Sequence, residues 1–216
     1  VIMNKKISAG EFSVWLEEFT QTMRGLGEGS VPCGECVGCC TSSKFIHIRP
    51  TDRKAVDSIP KELMFQAPGL PDGHYLLGYD EKGYCPMFKK NKCSIYDSRP
   101  ETCRQYDCRA LAASGLKIDD ETKEITDRVN SWEFGYSSVH DSELSNAVKL
   151  AVKFISENRN IFPDGFVPLL KGQIAVMAVR VHHIFIGHTM DSVREDTNSF
   201  ASEIVVKCSA VNLNDA

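Results

Sequence analysis

Four cysteines fall within ten residues in VPCGECVGCC, Val31 to Cys40, and two of them, Cys39 and Cys40, are adjacent. A chain that crowds thiols in this way either bridges them as disulfides or uses them to hold an inorganic centre, and each choice restricts the fold around it. The chain has nine cysteines, an odd count, and its first residues lack the apolar run and small-residue cleavage site of an export signal. The sequence therefore predicts a cytoplasmic setting, in which thiols stay reduced and bind metal instead of pairing.

Cys33, Cys36, Cys39 and Cys40 form a C-x2-C-x2-C-C run, and Cys85, Cys93, Cys103 and Cys108 form a second, wider set. Two residues between cysteines make a turn that presents both sulfurs on one side. Gly34 and Gly38 permit such turns and leave backbone N–H groups free to face sulfur. A C-x2-C-x2-C run with a remote fourth cysteine is a ligand pattern for a [4Fe–4S] cluster, and Cys85-Pro86 has the form of a remote Cys-Pro ligand. Zinc also takes four cysteines, often from paired C-x2-C turns, so spacing leaves both metals open. Neighbouring side chains diverge, so one of Cys39 and Cys40 is expected to face a second centre or to stand by as a spare thiol. All eight cysteines are metal-ligand candidates, with Cys33, Cys36 and Cys39 acting together with at least one member of the second set.

Four thiolates around Zn²⁺ or a [4Fe–4S]²⁺ core carry a net charge of about −2. In residues 82–109, Lys82, Lys89, Lys90, Lys92, Arg99, Arg104 and Arg109 outnumber Asp97, Glu101 and Asp107. This excess offsets anionic sulfur, although for the lysines a solvated basic face is an equal account. Arg99 and Arg104, on either side of Cys103, are assigned to the surroundings of the bound cofactor. Tyr96 and Tyr106 are assigned either to a cover over it or to ordinary packing.

Together, CGECVGCC and CPMFKKNKCSIYDSRPETCR resemble the zinc- or iron-chelating CxxCxxCC domain family, also called the YkgJ-like cysteine-cluster family. That family's pattern is a C-x2-C-x2-C-C run, a Cys-Pro, and C-x-I-Y-x-x-R-P-x-x-C-R. It is met here by Cys33, Cys36, Cys39, Cys40, Cys85, Pro86, Cys93, Ile95, Tyr96, Arg99, Pro100, Cys103 and Arg104. The resemblance covers residues 30–110 and implies a metal or iron–sulfur centre in a cytoplasmic bacterial or archaeal protein. It implies no particular reaction.

Elsewhere periodicity predicts an α+β chain: a small cysteine-cluster core with short strands, residues 30–110, after an N-terminal helix in residues 1–29 and before a mainly helical region, 111–216. Phe12, Trp15, Leu16, Phe19 and Met23 form one stripe, with Ser8 and Glu11 at capping-box spacing. KFIHI reads as a strand, TDRKAVDS and KELMFQ as short helices, and HYLLGYD with YCPMF as a hairpin. DSELSNAVKLAVKFISEN, GQIAVMAVRVHHIFIG and SVREDTNSFASEIVVKCSA read as helices, the second apolar enough to lie inside a bundle. Its apolar core is too short to span a membrane and carries Arg180, His182 and His183. A formal net charge of −4 argues against a general nucleic-acid binder.

The chain thus reads as an iron–sulfur protein with a redox, electron-transfer or accessory role toward a protein or enzyme partner. The alternative is a structural zinc module that presents its helical half to another protein. His182, His183 and His188 are expected to be packing residues before ligands; His47, beside the first cysteine set, is the better outside ligand. Cys208 reads as a small buried apolar side chain. No Ser–His–Asp set, GxGxxG, Walker A or HExxH motif occurs, so no catalytic residue is assigned and enzymatic activity is left open.

Overall fold

The computed structural model describes residues 6–27, 29, 31–119 and 121–212. Among the described residues helix accounts for 51% and strand for 11%, in small sheets, with helices in the C-terminal half, so the class is α+β as the sequence predicts. The chain divides into two units, each assembled from distant segments: residues 1–20, 108–120 and 129–216 form one, and residues 21–107 and 121–128 the other. The sequence boundary expected at residues 29–30 adjoins Glu28 and Ser30, which lie outside the described residues.

In the first unit the longest helix, Val139–Glu157, starts at a capping box. The Ser138 hydroxyl accepts from the Asp141 N–H at 3.2 Å, and the Ser138 N–H donates to Asp141 Oδ2 at 2.9 Å. Its apolar stripe, Leu144, Val148, Ala151, Val152 and Ile155, is buried. The core continues through Ile174, Ala178 and Val181 of helix Lys171–Val181, Phe185 of the 3₁₀ turn His182–Phe185, Val193 of Met190–Glu195 and Ile204 of Thr197–Asn212. Each fully buried side chain of this size contributes roughly 1.5–3 kcal/mol relative to exposure, so this unit has a sufficient apolar source of stability. The last segment, predicted as one helix, is two, interrupted at Asp196.

The N-terminal helix begins later than its sequence suggests. Ile7–Glu11 is a strand paired in parallel with Trp132–Gly135, and the helix is Phe12–Met23. Ser8 therefore caps nothing. The Ser13 N–H is satisfied by Asp141 Oδ1 at 2.9 Å, and Glu11 accepts from the Ser137 N–H at 3.0 Å. Partners more than 100 residues away take over the local cap, which short-range spacing has no means of revealing. Phe12, Trp15, Phe19 and Phe134 share a buried or half-buried ring cluster, with Phe12 against Trp15 at 5.4 Å and Trp15 against Phe134 at 4.9 Å.

The second unit holds a three-stranded antiparallel sheet with Tyr75–Leu77 between Ile46–Ile48 and Met64–Gln66. Ile48 and Leu77 pack with Ala55, Ile59 and Met87, and Cys85 and Ile95 lie against this small core. KFIHI is a strand and TDRKAVDS a helix, Arg53–Ser58, as predicted. KELMFQ instead makes one 3₁₀ turn, Lys61–Leu63, before its strand, because pairing with Tyr75–Leu77 outweighs a weak helical preference. The expected hairpin is also displaced. Asp80 Oδ1 accepts from the N–H groups of Lys82 and Tyr84, both at 2.9 Å, and the Asp80 N–H closes the turn on the Tyr84 carbonyl at 2.8 Å, but the ladder stops there because the Cys85 N–H turns to the Cys40 carbonyl. The hairpin forms downstream, Phe88–Lys89 with Lys92–Cys93.

Candidate metal centre

The first cysteine set is a chain of tight turns. The Cys36 N–H donates to the Cys33 carbonyl at 3.0 Å, and Gly34 in that turn has φ +56. Gly38–Cys40 is a 3₁₀ turn in which the Cys40 N–H reaches the Val37 carbonyl at 2.8 Å. A Cβ on Gly38 would stand 3.3 Å from Cγ1 of Ile125, so a larger residue would push the turn away from the segment 121–128. From that segment Arg128 donates to the Cys33 carbonyl at 2.8 Å.

The second set is spread over a turn, a hairpin and a helix. The Phe88 N–H closes on the Cys85 carbonyl at 2.8 Å, and Cys93 faces Phe88 across the hairpin. Cys103 lies in helix Glu101–Gln105, which starts after Pro100. Proline offers no side-chain cap, and Asp52, 5% exposed, supplies it from a distance: its Oδ1 accepts the Glu101 N–H at 2.8 Å. Asp52 also accepts from the Arg49 N–H at 3.0 Å, while Arg49 pairs with Glu101 at 3.1 Å. The Thr102 hydroxyl donates to the His47 carbonyl at 2.8 Å, tying this helix to the sheet.

The two sets meet directly. The Cys85 N–H donates to the Cys40 carbonyl at 2.8 Å, and the Ser43 N–H to the Gly83 carbonyl at 2.9 Å. Gly83 has φ +79, and a Cβ there would overlap the Ser43 side chain, so glycine is required for this approach. All nine cysteines are free thiols. Cys33, Cys36, Cys39, Cys40, Cys85, Cys93 and Cys103 belong to the second unit.

Electrostatics ties these thiols into one system with Cys39 at its junction. A hydrogen bond from the Cys40 thiol brings Cys39 down to about 7, against burial and with help from Arg99. The same bond pushes Cys40 far up, reinforced by burial and by Cys39, Cys85 and Cys93. Burial pushes Cys103 up to about 12, with Cys39, Cys85 and Cys93 adding to it and Arg99 opposing. Cys33 rises to about 11 through burial and the nearness of Cys39 and Cys36, despite Arg128. Burial raises Cys85 as well. Cys33, Cys40, Cys85 and Cys103 therefore resist ionising unless a cation replaces their protons, which is the chemistry of a soft-metal site. Among the described residues, no three or more His, Cys, Asp or Glu side chains already stand arranged to hold one ion.

The other candidates lie as follows. Arg99 spreads its guanidinium 3.6 Å from the centre of the Tyr96 ring and donates to the Tyr96 carbonyl at 2.8 Å, while its charge acts on Cys39 and Cys103. Arg104 donates to the Arg99 carbonyl and lies 3.6 Å from Asp52. Tyr96 is 60% exposed, and Tyr106 is half-buried. Cys108 belongs to the first unit; it is buried, and its sulfur accepts from the Trp132 indole N–H at 3.2 Å. His47 Nε2 lies 2.9 Å from His74 Nδ1, with the rings stacked; burial and His74 lower its pKa. His182 bonds the Val179 carbonyl at 2.6 Å, and burial lowers it too; Cys208 packs, half-buried, against the helical core.

Gly83, Asp52 and Arg128 were missed in the sequence reading. The acid and the arginine act from 49 and 95 residues away on Glu101 and Cys33, where no local motif links them. The family model CxxCxxCC, described as "Putative zinc- or iron-chelating domain", matches residues 32–130, a span that takes in Arg128 and ends beyond the quoted motifs. No curated protein and no solved structure matches the chain. No helix among the described residues is long and apolar enough to cross a membrane.

Proposed function

Because residues 32–130 match the model of the zinc- or iron-chelating CxxCxxCC domain family, we propose that this chain holds an iron–sulfur cluster and serves a redox or accessory role for a partner protein. Metal chelation through cysteine is the part the family match supports. The cluster reading adds the C-x2-C-x2-C spacing, the remote Cys85-Pro86, and seven cysteines in one unit where a single zinc needs four. The observation that carries it is the clasp between Cys40 and Cys85, which joins the two sets at 2.8 Å.

The ligands in this reading come from Cys33, Cys36, Cys39, Cys40, Cys85, Cys93 and Cys103, with Cys108 left to its indole bond. Bound, the cluster supplies one-electron chemistry. The chain's own residues do the rest: the two turns present sulfur, Asp52 steadies the Cys103 helix, and Arg99 and Arg128 place positive charge beside anionic ligands. Free thiols and the absence of pairing suit a reducing compartment, and we assign the protein to the cytoplasm. A structural zinc site is the second reading, favoured by the same paired C-x2-C turns.

Anaerobic purification from cells separates these. Brown protein with matching iron and sulfide, bleached by oxidant, is expected. Colourless protein with stoichiometric zinc would replace the cluster with the structural reading, and protein with neither metal would sink both. Retained cluster in a Cys108→Ala variant is expected, whereas its loss would return Cys108 to the ligand set.

A further inference from the structure

A local conflict lies beside the thiols. The hairpin Phe88–Lys89/Lys92–Cys93 sets Lys89 directly opposite Lys92, and like charges facing each other across two strands repel. Its turn holds Lys90 at φ +51 and Asn91 at φ +62. Asparagine and glycine settle readily in this left-handed region, and lysine does not. Lys89, Lys90 and Lys92 are exposed, as is Lys82 in the preceding turn, and none of the four forms an ion pair among the described residues. Tyr84, 38% exposed, stands its ring edge-on to Phe88 at 5.8 Å.

The Cys33 thiol feels Arg128, and Cys39 and Cys103 feel Arg99. A segment that sets aside turn preference and cross-strand pairing to gather Lys89, Lys90 and Lys92, none of them ion-paired among the described residues, is suited to a partner outside the chain. Cys85 opens the turn leading into this hairpin and Cys93 closes it.

We propose that the lysine hairpin is the docking surface for an acidic protein partner, which it brings to the rim of the thiolate centre. Lysines steer a partner of opposite charge, and an exposed aromatic such as Tyr84 gives the encounter an apolar anchor. A nucleic acid fits less well. The whole chain is net −4, and four lysines on one turn and hairpin meet few phosphates. The nearby arginines, whose forked donors suit phosphate best, are engaged: Arg99 with Tyr96, and Arg104 with Asp52. What the partner comes for rests on the thiolate centre proposed above; the docking itself does not.

Fluorescence anisotropy with the full chain and labelled poly-L-glutamate tests this. Salt-sensitive binding is expected, weakened by about tenfold or more in K89E/K90E/K92E. A control of equal charge change, K54E/K61E/K149E, is expected to lose far less. Lys90→Asn, which suits the turn, is expected to raise the melting temperature while weakening binding about two- to threefold. Metal content per folded chain is measured in every variant and is expected to stay constant. Lysine-dependent binding by a chain that purifies without metal would support the docking while refuting the metal reading. Equal losses in both triple variants, no binding at all, or tighter lysine-dependent binding of a labelled single-stranded oligodeoxynucleotide would overturn the proposal.

Discussion

The helical unit and the cysteine unit solve the same problem with different materials. In the first, Phe154, Ile155, Ala178, Val181, Phe185 and Ile204 are all at or below 1% exposure, and the apolar stripes of several helices close on one core. In the second, the fully apolar core reduces to Ile48, Ala55, Ile59, Leu77 and Met87 under strands of two or three residues, while seven thiols take the place where more hydrocarbon would be. A core that small supplies little net stability against the entropy of its long loops. The lesson is one of division of labour: hydrocarbon burial stabilises one unit unaided, and the other is completed by what its sulfurs bind.

The largest test of that contrast is metal removal. A strong chelator is expected to abolish amide protection in Ile46–Ile48, Tyr75–Leu77 and the Phe88–Cys93 hairpin, and to leave Val139–Glu157 and Lys171–Val181 protected in hydrogen exchange. Uniform loss across both units would erase the distinction. Cys36→Ser should reproduce the chelator's effect genetically, with most of the metal gone by elemental analysis. Phe154→Ala is the reciprocal change: a cost of about 3–5 kcal/mol in denaturant unfolding with metal content per folded chain unchanged.

Acidity sharpens the comparison. Cys33 and Cys103 have folded pKa values above the ordinary 9.0, so without metal they keep their protons longer folded than unfolded. Their contribution is complete below pH 9 and is lost as pH climbs through about 11–12. With metal bound the trend reverses at the acid side, because ligation requires thiolate and proton competition expels the metal. Asp141 in the helical unit behaves oppositely. Hydrogen bonds from Ser138 and Ser13 hold its carboxyl below the usual range, so its contribution is present above roughly pH 4 and lost as pH falls through the folded value. Melting temperatures against pH for Asp141→Asn and the parent should differ at neutral pH and converge in acid. The smallest effect is expected from Cys208→Ser, about 1 kcal/mol or less with full metal content.

What the sequence made legible follows the range of each interaction. The helix Val139–Glu157 was readable from its local apolar stripe, but its capping box was not: Ser138 lies three residues ahead of the predicted segment, and Asp141 is a buried capping acid. The two cysteine sets stood out by their spacing, although Cys108 of the second lies in the other unit against the Trp132 indole. The strand Ile7–Glu11 was not readable, since it exists through pairing with Trp132–Gly135 and its neighbouring helix is capped by Asp141 from afar. The hairpin register was missed because Asp80 captures two backbone donors and ends one turn before the real one begins. Around the thiols, Asp52 and Arg128 carry no motif, and their roles emerge only once the chain has brought them to Glu101 and Cys33.

The bond from Cys85 to the Cys40 carbonyl has a consequence for how the protein is made. The long stretch between those two residues must close before the two cysteine sets meet, and Cys103 follows later still in synthesis. In the proposed centre the early tetrad therefore leaves the ribosome as bare, oxidisable thiols that must be kept reduced until Cys85, Cys93 and Cys103 arrive, which would make metal insertion a late event in the life of each chain.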